Sequence, residues 1–488
     1  MARLGLWHFP PLMLLLLLLL GLFLDAAAAA GKGKKWGGDG GGLRFRREGG
    51  TFKVLQVADM HYADGRSTGC EDVLPEQVAG CSDLNTTAFL YRVLRAEDPD
   101  LVVFTGDNIY GADSTDAAKS MDAAIAPAIA MNIPWAAVLG NHDQEGTLSR
   151  EGVMRHLVGM KKTLSRFNPE GVEIDGFGNY NLEVGGVEGT QLANKSVLNL
   201  YFLDSGDRST VWWIPGYGWI KASQQAWFKQ TSLSLQKNYR NEEPRQKEPA
   251  PALAYFHIPL PEFSSFTASD FTGVKQESIS SPSINSGFFT TMVEAGDVKA
   301  AFIGHDHVND FCGKLTGIQL CYAGGLGYHA YVKAGWSRRA RVVSVQLEKT
   351  VSGEWQGVKS IKTWKRLDDE HLTTIDSEVL WNRGSNDSYE IAIPIEWTYI
   401  FRTATYLSVA NCQGGAGRIM TEAEFRMGTA SDASYSYLCT SCVLLVFSIV
   451  IVRIKKEQDA LSNVTLCKWA WMSKEKVCNV CAVWALPL

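Results

Sequence analysis

Residues 101–110 read LVVFTGDNIY and residues 136–143 read AAVLGNHD. In each, a short apolar run ends at glycine and passes at once into carboxylate, amide or imidazole side chains. Runs of four or five apolar residues suit strands buried on both faces, and the glycine permits a sharp turn behind them. Three further segments repeat the layout. Asp59-Met60-His61 follows residues 54–58, Tyr255-Phe256-His257 closes residues 253–256, and Gly304-His305-Asp306-His307 follows residues 300–303. In open α/β sheets, ligands gather at the carboxyl ends of strands. Five such ends would meet in one crevice.

Helical patterns lie between these strands. They cover residues 87–97, with Asn85 or Thr86 as cap, and residues 117–131, 154–167 and 224–235. Residues 197–203, 342–347 and 360–364 read as further strands. Alternating strands and helices predict a layered α/β (α+β) domain over residues 51–382.

The chain has nine histidines, and five of them sit in these segments beside Asp and Asn. Carboxylate, imidazole, amide oxygen and phenolate suit iron, manganese or zinc. A carboxylate such as Asp107 has two oxygens and can bridge two cations. Such a pair can clamp a phosphate and activate water. The formal net charge of −5 gives no reason to expect nucleic-acid binding. A phosphate ester would need local positive charge, which two metal ions supply.

These five ordered blocks resemble the signatures of the calcineurin-like metallophosphoesterases. Tyr110 in Gly106-Asp107-Asn108-Ile109-Tyr110 resembles the purple acid phosphatase branch in particular, in its small plant-type members. The resemblance implies a four-layer αββα sandwich and hydrolysis of phosphate monoesters by a bridging hydroxide. It implies one metal, ferric iron, at Asp59, Asp107, Tyr110 and His307. It implies a second, zinc, manganese or ferrous iron, at Asp107, Asn141, His257 and His305. His142 would assist the leaving group, with Asn141, His142 and His305 facing substrate. One block departs from the branch. Ala58-Asp59-Met60-His61 stands where Gly-Asp-x-Gly is usual, so His61 replaces or joins Tyr110 at the first metal. Members with this departure are commonly labelled inactive. A catalytically weak phosphate-binding homologue and a phosphodiesterase are the alternative readings.

The ends of the chain read differently. Arg3, the apolar run 12–24 and the small residues 26–30 make residues 1–30 a secretory signal peptide. The expected destination is extracellular or vacuolar. Residues 31–50 are rich in glycine and basic residues and read as a flexible linker. Residues 383–488 form an atypical tail. Within it, residues 435–452 are uncharged and precede Arg453, Lys455 and Lys456, as in a marginal transmembrane helix that would anchor the chain. Oligomeric state is not legible. Export permits disulfides, and Cys70 with Cys81 and Cys312 with Cys321 read as loop staples. Asn85, Asn194 and Asn386 head glycosylation sequons.

Other features carry less. Gly65-Arg66-Ser67-Thr68-Gly69 matches a nucleophile elbow but lies away from any strand end, so a loop is expected. His329 and Tyr331 sit where they could reach substrate. Trp212, Trp213, Tyr217 and Trp219 form an aromatic patch expected to pack in the core or at a rim rather than to stack on sugars or bases. Arg338 and Arg339 read as a solvated pair.

Overall fold

The computed structural model describes residues 42–384, apart from residues 242, 244 and 247. In chain order the main elements are β1 (Thr51–Val57), α1 (Asp83–Glu97), β2 (Leu101–Thr105), α2 (Ala117–Ala130), β3 (Trp135–Val138) and α3 (Arg150–Gly159). There follow β4 (Tyr180–Gly185), β5 (Ser196–Phe202), α4 (Ala222–Asn241), β6 (Ala252–Tyr255), β7 (Phe271–Thr272), α5 (Phe288–Ala295) and β8 (Val298–Ile303). The last strands are β9 (Cys312–Leu315), β10 (Ile318–Tyr322), β11 (Arg339–Lys349), β12 (Trp355–Leu367) and β13 (Thr374–Asn382).

They form two sheets. One runs β13-β12-β11-β1-β2-β3, the other β4-β5-β6-β8-β10-β9-β7. Period-two burial shows how they stack. Leu253 and Tyr255 of β6 join one apolar cluster, whereas Ala252 and Ala254 join another. On β8, Ala300 and Phe302 face the first cluster, and Ala301 and Ile303 the second. A strand apolar on both faces must be covered on both. The first cluster holds side chains of α1, α2, α3 and both sheets, and the second those of α4 and α5. The result is a four-layer αββα sandwich.

Direction matters as much as layering. β1, β2 and β3 are parallel neighbours, and so are β5, β6, β8 and β10. The carboxyl ends of each parallel run therefore lie on one edge of its sheet. Helix caps fix the returns: Ser82, Asp116 and Ser149 accept from the amides of Leu84, Lys119 and Gly152 at the starts of α1, α2 and α3. Asn85 stands inside α1 rather than capping it, with its side-chain oxygen accepting from Ser82 N at 3.1 Å.

Three expectations are corrected. The predicted helix over 154–167 is α3, and ends at Gly159. Edge strand β3 captures the following residues, through Trp135 N to Lys162 O at 3.2 Å and Leu164 N to Trp135 O at 2.7 Å. The expected linker 31–50 belongs to the fold in its second half. Leu43 and Phe45 are buried, and Phe45 N donates to Gly185 O at 3.0 Å. The sequence misleads here because glycine and basic residues surround two isolated apolar anchors. Lastly, Arg338 and Arg339 are buried rather than solvated.

Both expected disulfides are present, Cys70–Cys81 and Cys312–Cys321, with Cα separations of 5.5 and 4.1 Å. The second joins residues directly opposite on β9 and β10. Asn85 and Asn194 are exposed. The signal peptide, the sequon at Asn386 and segment 435–452 lie outside the described residues. No helix among the described residues is long and apolar enough to cross a membrane.

Phe45 is 2% exposed and packs on Phe52 at 5.8 Å between ring centroids. Phe45→Ala should cost about 3 kcal/mol or more by thermal or denaturant unfolding. A free linker residue would leave the transition unmoved.

Candidate metal centre

Four site residues leave their strands through strained turns. Asp59 and His61 follow β1, Asp107 follows β2, and His305 follows β8. All four have positive φ (52°, 46°, 48° and 82°). Eleven described non-glycine residues do so, and four fall here. Such backbone costs of order 1–3 kcal/mol per residue and persists only where surroundings impose it. Glycines make the turns possible. A Cβ on Gly106, itself at φ 91°, would lie 2.5 Å from His257 Nδ1, and one on Gly140 would overlap the Asp107 backbone.

Two groups of side chains converge. Asp59, His61, Asp107 and His307 offer one set of ligand atoms within 4.8 Å of one another. Asp107, His257 and His305 offer a second. Asp107 belongs to both. Its Oδ2 lies 3.5 Å from His61 Nε2 and 3.1 Å from His257 Nε2, while Oδ1 accepts from His142 N at 2.8 Å. His305 N donates to Asp59 Oδ1 at 2.9 Å.

The imidazoles are oriented from behind. His257 Nδ1 lies 2.8 Å from Thr105 O, and His307 Nδ1 lies 2.9 Å from Tyr331 O. A carbonyl can only accept, so both Nδ1 atoms carry a proton and both Nε2 atoms face the clusters. His61 Nε2, His305 Nε2 and Asn141 Oδ1 are buried without a hydrogen-bond partner. Orphaned buried polar atoms are costly. His61 Nε2 lies 3.5 Å from Asp107 Oδ2, and His305 reaches the second group with Nδ1, 3.3 Å from His257 Nε2. Cations would satisfy these convergent donors, so the residues fit a pair of metal ions.

Electrostatics point the same way. Burial, and secondarily the His257 charge, holds the His305 imidazole down at about 3. Burial, then His61, lowers His307 well below its ordinary value. Such imidazoles stay neutral in acid and keep a lone pair for a metal. Burial also drives the Asp59 carboxyl up to about 8, with Asp107 adding to the rise and His257 opposing it. Packing anionic oxygens in a dry site therefore calls for a counter-charge.

Tyr110 is only partly buried. Its ring stacks on His61 at 5.4 Å and leans on His142 at 4.8 Å. Burial, then Glu145, Asp113, Glu71 and Asp107, pushes its phenol up, which opposes tyrosinate formation. His61 is one of the four members of the first group. His142 stands at the mouth, its Nδ1 2.6 Å from Glu145 Oε2.

Supporting residues escaped the sequence reading. Glu145 is one, although a carboxylate three residues after His142 is a visible signal. Arg150 is another: it bonds Gly140 O at 2.7 Å and both oxygens of Asp204, which pins the Asn141 turn to β5. Buried Asp143 accepts from the amides of Gly140 and Ile109, tying two site turns together. Buried Arg339 and Lys365 both pair with Asp310, at 2.5 and 2.8 Å. Only the fold brings these distant positions together. His329 is spent between Gly69 O and Asp113, and Tyr331 stacks on His307 at 3.9 Å while donating to Glu277. Ser67 lies in a short 3-10 turn, away from any strand-to-helix junction.

Comparison with known proteins agrees with this geometry. Residues 52–309 match the model of the calcineurin-like phosphoesterase family. The chain is 62% identical over 347 residues to "Probable inactive purple acid phosphatase 29" of Arabidopsis thaliana, covering 70% of this chain and 89% of that protein. It is 53% identical over 352 residues to "Probable inactive purple acid phosphatase 14" of the same plant, covering 70% and 87%. It is 34% identical over 355 residues to "Phosphatase DCR2" of Saccharomyces cerevisiae, covering 70% and 57%.

Metal analysis of variants tests the two clusters. His61→Asn should lower bound metal from two ions per chain toward one. Tyr110→Phe should leave two. Loss of an ion from the Tyr110 variant alone would make the phenolate the ligand.

Proposed function

The chain belongs to the calcineurin-like phosphoesterase family, and from that premise we propose that it is an acid phosphatase cleaving phosphate monoesters at a two-metal site. The observation that carries this is that Asp107 belongs to two separate groups of carboxylate and imidazole ligand atoms, each gathered within 4.8 Å. One ion would bind Asp59, His61, Asp107 and His307, with Tyr110 beside them. The other would bind Asp107, Asn141, His257 and His305. We assign iron with zinc, manganese or a second iron, because oxygen and nitrogen donors of this mixture suit them. Bound together, such ions acidify water and neutralise a phosphoryl oxygen.

The chain's own residues do the rest. The backbone donors of His142 and His305 hold the two carboxylates in fixed orientation. His142 has a quarter of its side chain open to solvent and lies beside the clusters, 5.1 Å from His61 between ring centroids. Glu145 sets its ring, so that Nε2 can present a proton to the departing alkoxide. Asn141 and His305 line the same mouth and would contact the phosphate.

Relatives of this chain are named probable inactive. Ligand for ligand, His61 fills the gap, and the set needed for two ions is complete. A yeast relative is itself named a phosphatase. Two disulfides favour an oxidising compartment, in keeping with export to the cell exterior or vacuole.

Purified protein reconstituted with iron and zinc should hydrolyse an aryl phosphate faster than the matching diester. Asp107→Asn should lower kcat by more than about a hundredfold, since outer-shell changes alone cost ten- to a hundredfold. Metal and phosphate binding with no turnover under any metal would make the chain a binding homologue. Preference for the diester would make it a phosphodiesterase.

A further inference from the structure

One exposed apolar feature stands directly beside this centre. Residues 207–218 form a hairpin: Arg208 pairs with Tyr217, Ser209 N donates to Gly216 O at 2.9 Å, and Gly218 N donates to Asp207 O at 2.7 Å. Its base is fastened to the site. Asp207 accepts from Gln144, which also donates to Asn141 O, and the Tyr217 ring meets His305 edge-on at 4.5 Å. Its tip reads Val211-Trp212-Trp213-Ile214-Pro215. Trp212 is 89% exposed and Trp213 65% exposed, and the two rings touch chiefly each other, at 5.2 Å. Isolated exposed apolar residues need no explanation, but two adjacent exposed tryptophans at the tip of an apolar loop do.

The hairpin is graded along its length. Below the apolar tip come Tyr217 and Trp219. On these rings sit the cations Arg208, 5.4 Å from the Tyr217 centroid, and Lys221, 3.5 Å from that of Trp219. Apolar end, aromatic ring and cation is the order met on entering a bilayer outward from its core: acyl chain, interface, phosphate. The tip is convex, so it suits a soft surface that can receive it rather than a small ligand that needs walls. Tyr217 follows Trp213 by four positions, which even fully extended chain spans in about 13 Å. A tip sunk to the acyl boundary would thus leave the metal centre level with the headgroups.

We propose that hairpin 207–218 docks this chain on an anionic membrane surface and presents its metal centre to lipids whose headgroup is a phosphate monoester. The docking stands on the hairpin alone, and the substrate class rests on the phosphatase reading above. Water would cleave the terminal P–O bond, releasing inorganic phosphate and leaving the lipid alcohol in the bilayer.

The test uses the full chain, phosphatidylcholine vesicles with or without phosphatidic acid, and a soluble aryl phosphate. The protein should sediment with vesicles containing phosphatidic acid, less so at high salt. Trp212→Ser/Trp213→Ser should weaken that partition by roughly tenfold or more while soluble ester turnover is unchanged. Release of phosphate from phosphatidic acid should fall in step with binding. Equal partition of parent and double variant, or no sedimentation of either, overturns the proposal; equal partition would assign any binding to other segments. Tryptophan-dependent binding without turnover of either ester keeps the docking surface and sinks the phosphatase reading instead.

Discussion

The fold is organised around one buried carboxylate. Asp107 lies between His61 and His257, and one of its oxygens is already engaged by the His142 amide. A carboxylate in so dry a place is tolerable only with compensating charge. The imidazoles around it cannot all provide that charge, because His305 and His307 are held neutral by burial. Two cations would resolve the conflict at the point where the two groups of ligand atoms meet.

That requirement explains the backbone. Side chains from five strands reach a common point only if the chain bends abruptly after each strand. Four non-glycine residues take left-handed conformations to do this, and Gly106 and Gly140 give up side chains so that neighbours can close in. The cost is met by rigid surroundings. Asp143 links the second and third turns, Arg150 links the third to β5 through Asp204, and backbone carbonyls of Thr105 and Tyr331 fix two imidazoles. Packing does the same for other rings, with Tyr331 on His307 and Tyr217 on His305.

Around this rigid interior the mouth is mixed in character. His142 and Glu145 are partly open to solvent on one side, and Asp113, paired with the largely buried His329, on another. The hairpin at 207–218 is the most apolar part of the rim. Chemistry and recognition are thus carried by different parts: strand-end turns for the former, longer connections for the latter.

Much of the site is legible in the chain itself. Apolar runs closed by glycine and followed by Asp, Asn or His announce buried strands with ligands at their ends, because strand period and ligand chemistry are both local properties. The helices between them follow from apolar spacing, with errors at the start of α1, where Ser82 is the cap rather than Asn85 or Thr86, and where edge strand β3 recruits residues 162–164. Tertiary structure alone decided what depends on contacts between distant positions. It placed His61 in the first cluster and stacked Tyr110 against it. It buried Arg338 and Arg339, anchored Leu43 and Phe45 to β4, and left Trp212 and Trp213 in solvent. The physical reason is that burial and electrostatic environment belong to assembled surfaces, and no local stretch of side chains contains them.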